Sequence, residues 1–186
     1  DPNHADLYQG VTRSLSGGLT LGADAEWAHS ASDGSVPYGD HHFQRVGGRI
    51  QLRSEHAQTD LFAGYQAKFF GWPDLYTPYG VNESENLQTV LLALNHRVER
   101  DDGGYFEAGA YHRRNKDDYE FNRLIPGLYN PYQHTTWLNG AAVDGREVMD
   151  DWALRYRAEV AQDRLQSTSL TAGRYNTRTI SKVDLA

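Results

Sequence analysis

The chain has 186 residues, a net charge of −7 and no cysteine, and 12% of its residues are aromatic. The acidic balance gives no reason to expect a nucleic-acid partner, because such partners require a basic face, and without cysteine there is no disulfide framework. No run approaches the roughly 20 apolar residues of a membrane-spanning helix, so a helical membrane protein is excluded.

Short segments in which apolar and polar residues alternate recur along the whole chain. Alternation with a period of two is typical of a β-strand with one apolar face. We predict nine strands, in chain order at 7–13, 18–29, 43–54, 59–69, 87–99, 105–113, 135–146, 152–163 and 177–186. The connections alternate between short turns, at 14–17, 55–58, 100–104 and 147–151, and long loops, at 30–42, 70–86, 114–134 and 164–176. An alternative for the first part of 114–134 is that it extends the preceding strand beyond a membrane.

The hairpin at 87–113 shows the pattern most clearly. Its Asp-Asp-Gly-Gly turn suits a tight hairpin, because Asp and Gly tolerate left-handed backbone angles. One face of its first strand carries Val90, Leu92, Leu94, His96 and Val98. Each strand has about the 9–11 residues that cross a bilayer at a tilt. One face can therefore lie against lipid, whereas the other carries both signs of charge.

Loop lengths and charge placement together indicate the fold class. Short turns at one end and long loops at the other are typical of bacterial outer-membrane barrels. No Asp, Glu, Lys or Arg falls on the apolar face of the best-phased strands. We therefore predict an all-β, antiparallel up-and-down meander that forms part of a transmembrane β-barrel. A soluble β-sandwich that binds glycans through exposed Trp and Tyr is an alternative, because it also has one wet face.

The strand count bears on whether the barrel is complete. Single-chain barrels of this class close with an even number of strands, and nine is odd. The last predicted strand also lacks a terminal aromatic residue. We expect residues 1–186 to be a single segment of a larger barrel and to aggregate when expressed alone, because open sheet edges are costly in lipid. A complete small barrel of eight strands, structural or enzymatic, is the other alternative.

Several blocks of the sequence resemble the barrel of TonB-dependent outer-membrane receptors, in the cobalamin (vitamin B-twelve) branch. The blocks are 69–73 (FFGWP), 76–80 (YTPYG), 83–86 (ESEN), 91–97 (LLALNHR), 152–158 (WALRYRA) and 173–179 (GRYNTRT). The likeness covers most of residues 40–186. It implies a receptor wall in the cell outer membrane that takes up a large scarce nutrient such as cobalamin.

The same resemblance implies the partners of the chain. They are outer-membrane lipid, the remaining barrel strands, a plug domain and, through the plug, TonB. Residues 1–186 have no counterpart of the plug domain or of the TonB box. We therefore expect this segment to contribute the wall of a receptor and to perform no energised transport alone.

The sequence carries no recognisable catalytic motif. It lacks a G-x-S-x-G elbow, an H-E-x-x-H pair and a Walker loop, so we predict no enzymatic activity and no cofactor. His29, His41 and His42 could suggest zinc, but adjacent residues of a strand point apart, and zinc needs three or four ligands. The acidic run at 117–120 offers oxygen ligands for calcium, although solvated loop charge is its commoner role. We predict no metal site.

Aromatic residues of the long loops are the candidate ligand-binding residues. The candidates, with one neighbouring amide, are Trp72, Tyr76, Tyr79, Tyr129, Asn130 and Tyr132. Amphipathic rings on loops bind large ligands at a small entropic cost. The alternative is an aromatic girdle at the level of the lipid headgroups. We predict that girdle role for Trp27, Phe69 and Trp152, which stand at strand ends on the apolar face.

Overall fold

The structure is a computed structural model that describes residues 3–129, 132–170 and 176–186. These residues form one antiparallel sheet whose nine strands lie side by side in chain order. The strands are β1 (Asn3–Ser14), β2 (Thr20–Ser32), β3 (His41–Arg53), β4 (Ala57–Pro73), β5 (Asn82–Glu99), β6 (Tyr105–Glu120), β7 (Tyr132–Met149), β8 (Trp152–Ser167) and β9 (Thr177–Leu185). In the described part of the chain, no helix has the length and apolar content needed to cross a membrane.

The nine predicted strands are confirmed, but several of them are longer than predicted. β4 and β5 continue to Pro73 and from Asn82, so the aromatic loop predicted at 70–86 is reduced to 74–81. β6 continues to Glu120, which is the alternative stated for the first part of 114–134. The backbones stay paired in these extensions. The prediction stopped too early because strands that leave a membrane no longer need an apolar face.

The register joins the apolar faces of the strands into one continuous surface, which we call the outer face. One row across the sheet consists of Val11, Ala23, Ile50, Leu61, Leu94, Ala110, Ala141 and Val160. Leu94 is 47% exposed in the middle of this row. An apolar surface of this extent on a soluble protein would be a site of aggregation. The predicted apolar face is therefore a real surface of the sheet.

The described residues contain almost no hydrophobic core. Ala28 is the only apolar side chain among them that is buried, at 3% exposure. A β-sandwich needs two sheets whose inner faces bury each other. A single sheet without a second layer contradicts the soluble sandwich alternative.

The apolar band runs obliquely across β5 to β8. On β5 it extends from Val98 to Val90, whereas the residues in the same row as Val90 are Arg114 on β6 and Arg164 on β8. On β8 the apolar residues reach only Val160. Between β5 and β8, the edge of the band on the side of the long loops thus moves by four residues, about 13 Å along a strand. Barrel strands are tilted by roughly 35–45°, so a band level with the membrane must cross them at an angle.

The opposite surface, the inner face, carries charges that neutralise one another. Arg97 donates from Nη1 to Glu107 Oε2 at 3.1 Å, and Asn95 Nδ2 donates to the other oxygen of the same carboxylate at 3.0 Å. Arg49 Nε lies 3.2 Å from Asp24 Oδ2 on neighbouring strands. A surface with this many cross-strand polar pairs suits a hydrated barrel interior.

The two outermost strands leave the sheet open. Within the described residues, β1 pairs only with β2, and β9 pairs only with β8. In hydrocarbon, the unpaired N–H and C=O groups of such edges each cost several kcal/mol. Within a membrane, both of these edges would therefore need a pairing partner.

The two faces can be distinguished by placing the same charge on each. Leu94→Arg puts a guanidinium in the middle of the outer face and should destabilise the refolded protein by about 2–4 kcal/mol. Ala93→Arg puts it on the inner face, opposite Phe62 and Tyr111, and should cost clearly less. Denaturant titration of the native-length protein in lipid vesicles measures both, and equal costs would contradict the face assignment.

Candidate functional site

Aromatic side chains gather on the inner face at the end of the sheet where the long loops lie. Phe70 and Trp72 of β4 meet edge to face, with their ring centroids 5.5 Å apart. Tyr119 of β6 lies between Tyr76 of the loop at 74–81 and Tyr132 of β7, at centroid distances of 5.7 and 5.9 Å. These rings share one face because the register places Phe70, Glu85, Tyr119 and Tyr132 in one row.

A buried carboxylate organises this group. Glu83 is 0% exposed and accepts hydrogen bonds from Tyr76 N and from the Tyr119 hydroxyl, each at 2.8 Å. Thr77 Oγ1 donates to it at 3.4 Å. A buried carboxylate is tolerated only when donors of this kind replace its water. We call Tyr76, Glu83, Tyr119 and Tyr132 the mouth cluster.

The electrostatics keep Tyr119 in its neutral, donating form. Burial raises the pKa of Tyr119 well above its ordinary value, and the hydrogen bond to Glu83 raises it further. Next to it, burial raises the pKa of Glu85, and the nearby Asp117 carboxylate adds to this shift. Glu85 and Asp117 thus add carboxylate oxygens beside the aromatic faces, a combination that suits ligands with many N–H or O–H donors.

The structure brings together some of the predicted binding residues and separates others. Tyr76 and Tyr132 belong to the mouth cluster, and Trp72 lies beside it on a strand instead of a loop. Tyr79 is 83% exposed and makes no ring contact within the described residues. Tyr129 packs edge-on against Phe121, with their centroids 4.5 Å apart. Asn130 lies outside the described residues.

Sequence reasoning missed the two residues at the centre of the cluster, Glu83 and Tyr119. Both lie in stretches predicted as loops. A signal for Tyr119 was present, because it continues the alternation of Tyr111, Arg113 and Asn115 on the same face of β6. For Glu83 no comparable signal exists, because its burial depends on a loop that folds back over it.

The residues considered for metals point in different directions. His41 lies on the inner face against Ser30, whereas His42 lies on the outer face with its ring 5.0 Å from that of His29. Asp117 and Asp118 likewise alternate between faces because they lie on a strand. Among the described residues, no group of three or more His, Asp or Glu side chains is arranged to hold a metal ion.

A separate contact joins two loops over the outer face of β4. Arg123 forms a salt bridge with Asp40, and its guanidinium lies 5.0 Å from the centroid of the Phe69 ring. This guanidinium lowers the pKa of Asp40. The Tyr38 carbonyl oxygen occupies the space where Gly71 would carry a Cβ. Phe69 thus lies under a loop contact, whereas Trp27 and Trp152 are exposed at opposite ends of the apolar band. The girdle role of these two residues stays a prediction.

Comparison with known proteins supports the fold. No family model matches the chain, and no curated protein sequence matches it. The alcaligin outer membrane receptor FauA of Bordetella pertussis is similar in structure, with a TM-score of 0.59 and 13% identity, over 99% of this chain and 32% of that chain. CdiB from Acinetobacter baumannii aligns over 98% of this chain and 34% of that chain at 12% identity, but its TM-score of 0.39 is too low to support a shared fold.

These findings define the fold class. The chain is an all-β antiparallel meander that resembles the wall of an outer-membrane barrel, and it spans about a third of the FauA chain. The predicted fold class is confirmed. At 13% identity the likeness concerns the fold alone, and the cobalamin branch has no support from it.

Removing the central carboxylate should loosen one part of the loop at 74–81 selectively. Glu83→Ala leaves Tyr76 N without its acceptor, which costs about 1–3 kcal/mol locally and should speed its amide hydrogen exchange roughly tenfold or more. Gly80 N should change less, because Asp74 Oδ1 accepts its hydrogen bond at 2.7 Å. Asp74→Ala is the matched control and should reverse the order of the two amides. Uniform acceleration in both variants would contradict a local role for Glu83.

Proposed function

We propose that this chain is part of the wall of a TonB-dependent receptor in the cell outer membrane. One observation carries the proposal: a single sheet with an apolar outer face and an ion-paired inner face matches the FauA fold over 99% of the chain. Residues 1–186 form one wall segment in this proposal. The rest of the receptor supplies the closing strands and a plug, and TonB acts through the plug.

The mouth cluster is the proposed contact for the transported nutrient. It lies on the inner face at the long-loop end, where a ligand that enters from outside is met first. Its rings offer flat apolar surface at little entropic cost, and its buried carboxylate fixes their positions in advance. Trp72, Tyr76 and Tyr132 are the proposed contacts, and Glu83 and Tyr119 position them. Tyr79, Tyr129 and Asn130 stay predicted contacts.

A corrinoid is the proposed ligand class. The sequence blocks that resemble cobalamin receptors support it, as does the match between acceptor oxygens at the mouth and the many amide N–H groups around a corrin ring. FauA is named as a receptor for alcaligin. Measuring the binding of both cobalamin and alcaligin to this protein therefore tests the proposed ligand class directly. The proposal requires cobalamin uptake by cells to depend on this protein and to stop when TonB is deleted.

The mouth cluster predicts a specific loss of binding. Tyr132→Ala in the native-length receptor should weaken cobalamin binding about tenfold, because a ring of an aromatic contact surface is lost. Tyr105→Ala is the matched control, since Tyr105 lies on the same inner face at the opposite end of β6. Titration with radiolabelled cobalamin measures both. Equal effects would contradict the site, and binding of alcaligin alone would overturn the corrinoid assignment.

The orientation in the membrane can be tested because the chain has no cysteine of its own. Ser35→Cys, in the exposed loop between β2 and β3, should react with an impermeant thiol reagent on intact cells. Asp101→Cys, in the short turn between β5 and β6, should not react. Within this turn, Asp101 is a better site for the cysteine than Gly103, because the φ of +79° at Gly103 disfavours any side chain. The reverse labelling pattern would show that the long loops face the periplasm.

A further inference from the structure

A group of basic residues lies on the outer face of β6, β7 and β8, just beyond the apolar band. The basic members are Arg114 and Lys116 of β6 and Arg164 of β8. Trp137 of β7 lies between the two arginines, and we call the four residues the outer basic patch. The register places Arg114 opposite Trp137, and Trp137 opposite Arg164, in one row across three strands. Lys116 stands one row further out, opposite Thr135.

The position of the outer basic patch relative to the membrane follows from the same register. Arg164 lies four residues beyond Val160 on β8, so both project from the outer face. On a strand tilted as in a barrel, four residues correspond to a height of about 10 Å. Because Arg and Lys side chains are long and flexible, their charged groups reach the layer of lipid headgroups next to the hydrocarbon.

The two guanidinium groups of the patch lack the salt bridges that many other arginines of the sheet form. Among the described residues, Arg114 and Arg164 form no salt bridge, whereas Arg97 on the inner face pairs with both Glu99 and Glu107. The guanidinium of Arg164 lies 5.5 Å from the centroid of the Trp137 ring, which holds it along the surface. Lys116 is partly neutralised by Asp118.

Cations on the outer face are concentrated at this place. On the outer face of β6, β7 and β8, the row of Arg114 and the next outer-face row on each side contain no acidic residue. At β2 to β5, the row that continues from Lys116 consists of the uncharged or weakly basic residues His29, Gln44, Ala67 and Gln88. The acids Asp118 and Glu120 lie further from the membrane. The positive charge is therefore local and does not form a ring around the wall.

A shallow pocket adjoins the patch. It has a volume of about 180 Å³ and is lined by Lys116, Asp118, Gln133, Thr135, Gln166, Ser167 and Thr168. Its amide and hydroxyl groups stand beside the ammonium group of Lys116 and the Asp118 carboxylate that pairs with it. Guanidinium groups bind phosphate oxygens in pairs, and amides and hydroxyls complete such a site as donors.

We propose that the outer basic patch binds the phosphorylated headgroup of an outer-leaflet lipid, with lipid A as the class of ligand. The patch faces away from the barrel interior, so a transported solute does not reach it, while a lipid phosphate at headgroup height meets both guanidinium groups. The inference rests on the proposed location in the outer membrane. It assigns the wall a specific lipid contact in addition to its general apolar one.

The test compares two pairs of arginines that differ in the face they occupy. The native-length protein is refolded into phosphatidylcholine vesicles that contain diphosphoryl lipid A, extracted in mild detergent, and examined by native mass spectrometry for retained lipid A. Arg114→Gln with Arg164→Gln should lower retention about tenfold or more, because charge-assisted hydrogen bonds to phosphate are lost. The control pair, Arg113→Gln with Arg157→Gln on the inner face, should retain lipid A as the unaltered protein does.

The unaltered protein gives a second measurement that does not depend on the folding of any variant. It should retain diphosphoryl lipid A in preference to the same lipid without phosphates, and inorganic phosphate should not displace it. Equal retention of the two lipids, equal losses in both arginine pairs, or displacement by inorganic phosphate would each overturn the inference. Normal insertion with no lipid A preference refutes this inference alone, whereas failure to insert refutes the proposed function as well.

Discussion

Backbone hydrogen bonding is the constraint on which the whole structure depends. A strand in hydrocarbon has no water to satisfy its N–H and C=O groups, so neighbouring strands must pair along their full membrane-spanning length. That pairing fixes the register, and the register in turn decides which side chains share a face. Rows such as the one through Leu61, Leu94 and Val160 follow from it, and so does the ion pairing of Arg97 on the opposite face.

The same strands continue beyond the apolar band, where their side chains no longer need to be apolar on one face. Hydrocarbon covers neither face there, so the hydrogen-bonded carboxylate of Glu83 on the inner face and the charge of Arg114 on the outer face are both allowed. The pairing persists and keeps these side chains in register with the wall below. Neighbouring positions of the same strand can thus hold aromatic and acidic side chains in place on the inner face and basic side chains on the outer face.

The sequence determined the secondary structure of this protein and the division of its faces. The alternation in 87–113 is enough to place Leu94 and Ala93 on opposite sides, because side chains of a strand alternate whatever the strand pairs with. Turn residues and loop lengths fixed the strand order, since consecutive antiparallel strands joined by short turns must be neighbours. The strand ends were placed too early wherever the apolar signal stops, as at Arg113.

Only the tertiary structure decided which residues meet beyond the membrane. Glu83 is buried because the loop at 74–81 folds back and donates Tyr76 N to it, and no local pattern encodes that contact. Arg114 and Arg164 are 50 positions apart in sequence, and they share a row only through their pairing with Trp137. A periodic pattern reports the face of one strand, whereas a site requires the register between strands and the path of the loops. Those depend on interactions between residues far apart in the chain, which the sequence pattern by itself does not contain.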